Sequence, residues 1–143
     1  MDFGKLHVVI VHFPIGLAFS AVLADLLFLV ARKDIFRQAA IYCLVIAALS
    51  AICAVVTGLI LAGSAESVGS YLRMLTAHQW WAIGATSAAV LAAILRCARR
   101  KHLRRDWLAI YCVLMAAMAV CIALAGHSGG QLVYGKNFLA DLF

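Results

Sequence analysis

Four apolar stretches, at about 6–31, 38–62, 77–95 and 107–126, dominate this chain, and each is near or above the ~20 residues that a helix needs to cross a bilayer. A segment of that kind has few ways to fold, because in hydrocarbon every backbone N–H and C=O must find its partner within the segment. The expected fold class is therefore an all-α integral membrane protein, a four-transmembrane-helix bundle forming one membrane domain over residues 1–143.

Composition supports the same reading. Hydrophobic residues make up 66% of the chain and charged residues 13%, against about 25% charged in an average soluble domain. No polar stretch is long enough to hold a separate soluble enzyme domain. The first stretch contains His12 and Pro14 and lacks a small-residue cleavage site, so it is read as a span rather than a removed signal peptide.

The net charge of +6 does not point to nucleic acid. Nine of the twelve Lys and Arg residues fall in two short connections: Arg32, Lys33 and Arg37 after the first span, and Arg96, Arg99, Arg100, Lys101, Arg104 and Arg105 after the third. Only Lys5, Arg73 and Lys136 belong to the opposite side. The positive-inside rule then places both termini outside, which in a bacterial inner membrane means the periplasm.

Local signals set the expected boundaries. Thr76 and Gln79 have capping-box spacing at the start of the third span, which puts His78 in a first helical turn, and Asp106 is placed to cap the fourth. Gly126, Gly129 and Gly130 are expected to end the fourth helix. Val68, Tyr71, Leu72 and Leu75 recur at helical spacing, so 64–76 reads as a short interfacial helix, with the tail 128–143 as a second interfacial segment.

The histidines then become informative. On this topology His7, His12, His78 and His127 all lie at the outer end, whereas His102 sits among arginines in an inner loop and receives no role. An ionisable group inside a span is costly and usually marks a partner, a pathway or a cofactor. His7 and His12 are five residues apart, about 140° around a helix, and do not face one site from a continuous helix. His12, the deeper one, is the first expected ligand, joined by His78 or His127.

Small residues lie beneath these positions: Gly16 and Ser20 below His12; Ala82, Ala85 and Ala89 below His78; Ala123, Ala119 and Ala116 below His127. They would border a slot for a planar cofactor, although small residues also serve ordinary helix packing in membranes. Phe13, Trp80 and Trp81 are candidates for lining its edge, and Thr57, Thr76, Gln79, Ser128 and Tyr134 for supplying hydrogen bonds to ligands.

The motifs Leu6-His7, Val11-His12-Phe13-Pro14-Ile15-Gly16-Leu17, His78 with Trp80, and Gly126-His127-Ser128-Gly129-Gly130-Gln131-Leu132-Val133-Tyr134-Gly135 carry a resemblance over nearly the whole chain. The sequence resembles an uncharacterised bacterial four-span membrane domain family, often fused to or encoded beside c-type cytochromes, Rieske proteins or quinoprotein sugar dehydrogenases. Relatives often carry proline where this chain has Val8, and some carry histidine where it has Tyr134. The resemblance implies electron transfer between a periplasmic redox partner of one of those kinds and the membrane, with quinone a further candidate partner.

Together these readings give a b-type cytochrome-like subunit holding haem b between two histidines. Its cofactor-binding candidates are His12, His78, His127, His7, Gly16, Trp80 and Tyr134. The alternatives are copper or zinc on His12, His78 and His127, or a cofactor-free membrane anchor. Covalent haem is not expected without C-x-x-C-H, and the five cysteines read as packing residues. No hydrolase or nucleotide-binding motif appears, so any part in an enzyme would be that of a subunit. Asp25, about four turns below His12, is expected to be captured by Arg32, Arg96 or Arg99; the sharper alternative is a proton-uptake point.

Overall fold

A computed structural model describes residues 3–63, 69–99 and 104–135. It contains α1 (Phe3–Ile10), α2 (His12–Ala31), α3 (Asp34–Gly63), α4 (Ser70–Ala98) and α5 (Arg105–Tyr134). Four helical segments are long and apolar enough to cross a membrane: Leu6–Ala31, Asp34–Gly63, Tyr71–Ala98 and Arg105–Tyr134. The four expected spans are present, and they are longer than the hydrophobic stretches alone suggested.

The first span holds α1 and α2 with one irregular residue between them. Pro14 has no N–H to offer the carbonyl one turn back, which interrupts the ladder near Val11. The backbone nevertheless stays helical there, with Val11 at φ −61° and ψ −28°. Val11 N–H reaches His7 O at 3.1 Å and Ile15 N–H reaches Val11 O at 3.4 Å, so helical hydrogen bonding continues through the junction.

A tight turn follows. Arg32 adopts a left-handed conformation (φ 54°) and its N–H caps Phe28 O at 2.9 Å. Asp34, in the first turn of α3, complements the positive helix end and pairs with Arg37 at 3.0 Å. These contacts carry α3 back to residue 34, earlier than the apolar pattern at 38 indicated.

Two expected boundaries are corrected. The capping box at Thr76 and Gln79 does not form, because α4 already begins at Ser70 and the Thr76 hydroxyl donates to Leu72 O of its own helix at 2.8 Å. His78 thus sits well inside α4. The spacing of Tyr71, Leu72 and Leu75 belongs to the opening turns of α4, not to a separate helix; residues 64–68 lie outside the described residues.

At the other boundary, Gly126, Gly129 and Gly130 remain helical and α5 runs on to Tyr134, so the segment from 128 begins as helix. Glycine costs about 1 kcal/mol in a helix in water, but leaving backbone groups unpaired in hydrocarbon costs more. Gly135, at φ 92°, is where the helix stops, with its N–H on Gln131 O at 3.0 Å. Residues 136–143 of the expected interfacial tail lie outside the described residues. Asp106 likewise does not act as the cap: Arg104 holds that position, and the two side chains make an exposed ion pair at 3.8 Å.

The broadest packing interfaces are α2 with α3 and α4 with α5, followed by α3 with α4; α1 lies on α3, and α2 touches α5 over a short stretch. The core is built largely from alanine: Ala18, Ala21, Ala47, Ala48, Ala88, Ala89, Ala92 and Ala93 around Leu44, Tyr111, Met115 and Met118. Small side chains let backbones approach closely, which is how helices associate where lipid removes the hydrophobic drive between them. The bulky apolar residues point outward, as at Leu23, Leu29, Val30, Leu49, Val113 and Val120. That inverted pattern fits a bilayer rather than water. The five cysteines are free and lie within the helices, Cys43, Cys97 and Cys121 partly buried and Cys53 and Cys112 exposed.

Candidate functional site: two imidazoles at one end of the bundle

Two of the four histidines at this end face into the bundle. The His7 ring lies directly over Gly58 of α3, where an added Cβ would come 2.7 Å from its Cε1. Its Nδ1 is 3.3 Å from Thr57 Oγ1. The Thr57 hydroxyl proton is directed to its own helix, at Cys53 O or Ala54 O, each at 3.0 Å. Thr57 Oγ1 therefore accepts, and His7 Nδ1–H donates.

His78 of α4 sits in the same way against α5. An added Cβ at Gly129 would meet His78 Cε1 at 3.1 Å, and Nδ1 is 2.9 Å from Ala125 O. A carbonyl only accepts, so Nδ1 carries the proton here too. Ser128, buried beside it, donates to Leu124 O at 2.8 Å or to Ala125 O at 3.1 Å.

The tautomer follows from these partners. Each ring gives Nδ1–H to a protein oxygen, so in the neutral form of the ring the lone pair lies on Nε2. This is the state of imidazole that binds metals, and a second partner on Nδ1 is how ligating histidines are ordinarily oriented.

The remaining expected site residues are placed elsewhere. His12 is exposed, and its Nδ1 donates to Val8 O of the preceding turn at 2.8 Å. It lines a shallow, open depression with Val9, Ile10 and Phe13. Because the helix stays nearly continuous through Val11, the five-residue spacing that turns His7 inward turns His12 outward. Of the two, it is His7 that the structure turns toward α3. Gly16 is exposed with open space where a Cβ would stand, Trp80 and Tyr134 are exposed, and His127 lies on the exposed side of α5 next to buried Ser128.

Among the described residues no group of three or more His, Cys, Asp or Glu side chains comes together as a metal site. His7 and His78, on separate helices, are the two imidazoles seated against neighbouring helices at this end.

Gly58 escaped the sequence reading. It interrupts an otherwise glycine-free run from Asp34 to Ala62, and an isolated glycine inside a helix often marks a close approach. Thr57 was anticipated as a hydrogen-bond donor or acceptor and is used on His7. Thr76, in contrast, spends its hydroxyl on its own backbone.

A second polar cluster lies at the opposite end. Asp25 of α2 is paired with Arg96 of α4 at 3.5 Å, one of the expected captures. Tyr111 of α5 was not anticipated: its hydroxyl donates to Asp25 at 2.5 Å, and its ring lies 5.3 Å from the Arg96 guanidinium carbon. Asp25 thereby joins three helices, including α2 and α5, which otherwise touch little.

A family of predicted membrane proteins, DUF2231, matches residues 5–139, the stretch that holds both clusters and all four spans. The chain belongs to the DUF2231 family. No curated protein and no solved structure matches it. The family match and the four long apolar helices agree on a multi-pass membrane protein embedded in the lipid bilayer.

Proposed function

We propose that this DUF2231 protein is a membrane electron-transfer subunit of the b-type cytochrome kind, with His7 and His78 as the ligand pair for haem b. The observation that carries this reading is the shared setting of the two rings: each is seated against a glycine of a neighbouring helix and gives Nδ1–H to a protein oxygen, so that its neutral form offers Nε2 as a ligand. Bis-histidine haem supplies one-electron redox chemistry, with a potential tuned by burial and by hydrogen bonds to the ligands.

The chain's own residues supply the positioning. Thr57 and Ala125 fix ring orientation, while Gly58 and Gly129 let the rings lie against the backbones of α3 and α5. The clustering of Lys and Arg at the opposite end supports a periplasmic position for the histidine end in a bacterial inner membrane, with both termini on that side. There it would exchange electrons with a cytochrome c, Rieske or quinoprotein dehydrogenase partner, and quinone is a candidate carrier on the membrane side.

The test is an oxidised-minus-reduced visible spectrum of detergent-purified protein, with a pyridine haemochrome assay and metal analysis on the same sample. We expect a b-type alpha band that is lost in His7→Ala and His78→Ala and kept in His12→Ala. A flat spectrum from protein made in haem-replete cells overturns the haem reading. Stoichiometric copper or zinc in that sample would transfer the imidazoles to a metal ion, and neither would leave a membrane anchor.

A further inference from the structure

The Asp25–Arg96–Tyr111 cluster contains one group that the protein does not satisfy. Arg96 is only 8% exposed, and its Nε–H has no hydrogen-bond partner among the described residues. Guanidinium groups carry N–H donors along a planar edge, and a buried donor left without an acceptor is rare in native proteins. The other members of the cluster do not reach it. Asp25 engages Arg96 through Nη2 and receives the Tyr111 hydroxyl on its second oxygen. Tyr111 meets the guanidinium with its ring rather than with its oxygen.

We infer that Arg96 Nε–H is the donor of a binding site for a neutral oxygen acceptor, framed by Asp25 and Tyr111 between α2, α4 and α5. The charges determine the class of ligand. Asp25 already offsets the guanidinium, so an anion would add an uncompensated charge in a low-dielectric place, whereas a neutral oxygen completes the donor set at no such cost. Arg96 and Tyr111 are buried, but the Asp25 side chain keeps 21% of its surface exposed, which leaves a side from which a small group can reach the cluster.

Two sources offer that oxygen next to a membrane helix: an internal water molecule and the ester carbonyl of a phospholipid. Water has the stronger general precedent, since buried waters typically bridge polar groups that the protein leaves unpaired. Neither source depends on the histidine end, so this site stands or falls separately from the haem reading.

Solid-state NMR on the full chain tests it, with ¹⁵N-labelled arginine in phosphatidylethanolamine–phosphatidylglycerol liposomes; one sample carries ¹³C at the lipid ester carbonyls and a second carries it at the protein's backbone carbonyls and aspartate carboxylates. The Arg96 signal is assigned by its loss in Arg96→Lys or, if that variant does not fold, by its through-space correlation to the Asp25 carboxylate carbon. We expect magnetisation to pass from water to Arg96 Nε–H about as quickly as to the exposed side chains of Arg73 and Arg104, identifying water. A correlation to the lipid ester carbonyl instead identifies a lipid as occupant of the same site. Transfer from neither, or a correlation to a protein carbonyl, overturns the inference.

Discussion

At the histidine end of the bundle, polar groups have spent their donors and kept acceptors; at the arginine end they have spent acceptors and kept a donor. His7 and His78 each give Nδ1–H to an oxygen, so the neutral form of either ring has its lone pair on Nε2. Arg96 pairs with Asp25, whose oxygens also accept from Tyr111, and its Nε–H has no partner among the described residues. The ends also differ in what holds them together. Glycines seat the imidazole rings at one end, so close packing decides the geometry, whereas at the other an ion pair and a hydroxyl join α2 to α4 and α5. The first arrangement suits binding an electron-poor centre. The second suits holding helices together.

The contrast is tested most severely by stranding a charge. Arg96→Ala leaves Asp25 without its cation, and breaking a buried pair costs about 3–5 kcal/mol, here near the lower figure because Asp25 is partly exposed. Denaturation in detergent should show that loss, while the double variant Asp25→Ala/Arg96→Ala should recover part of it. Equal damage in the single and double variants would mean that side-chain packing, not pairing, holds the arginine end.

Packing is the weak point of the other end. At Gly58 an added Cβ falls 2.7 Å from the His7 ring, so Gly58→Ala must displace the imidazole and disturb its bond to Thr57. Overpacking of this kind costs about 1–3 kcal/mol. At Gly129 the corresponding distance is 3.1 Å, which a shift of a few tenths of an ångström relieves, so Gly129→Ala should be the milder change. If haem is present, its band should weaken in the same order. A reversed order in stability and spectrum would show that the rings are seated differently.

A smaller effect is expected at Tyr111. Tyr111→Phe keeps the ring beside Arg96 and removes the hydroxyl from Asp25. Hydrogen bonds between membrane helices average about 0.6 kcal/mol and rarely exceed about 1.7, so unfolding measurements should show a loss within that range. A loss as large as that of Arg96→Ala would make the hydroxyl, not the ion pair, the main tie between α2 and α5.

The bundle was legible in the sequence because hydrocarbon leaves long apolar segments little choice of backbone, and because Lys and Arg marked the connections. Helix ends were less legible. Rules drawn from water made Thr76 a cap and Gly126 a stop, but backbone pairing in a bilayer overrides both signals. The histidine end was legible as a level and not as a pair. Sequence placed four histidines together along the axis, but their direction around it depends on which face of each helix meets its neighbours. That was fixed by Gly58 and Gly129, whose importance lies in the missing side chain. Asp25 with Arg96 was readable from charge economy. Tyr111 was not, because an aromatic residue in a span ordinarily reads as an apolar side chain.

The smallest expected change separates the two faces of the first span. Gly16 lies on the same outward side as His12 and has no atom of another side chain or helix within reach of an added Cβ. Gly16→Ala should therefore be tolerated, with at most the ~0.5–1 kcal/mol that alanine gains over glycine inside a helix. Stability and any haem band should both be retained. A substantial loss of the band with stability intact would return the cofactor to the His12 face, since a methyl group with open space around it can interfere only with something that comes to occupy that space. It would also show that the rings of His7 and His78, though ready to ligate, are held by Thr57 and Ala125 for helix packing alone.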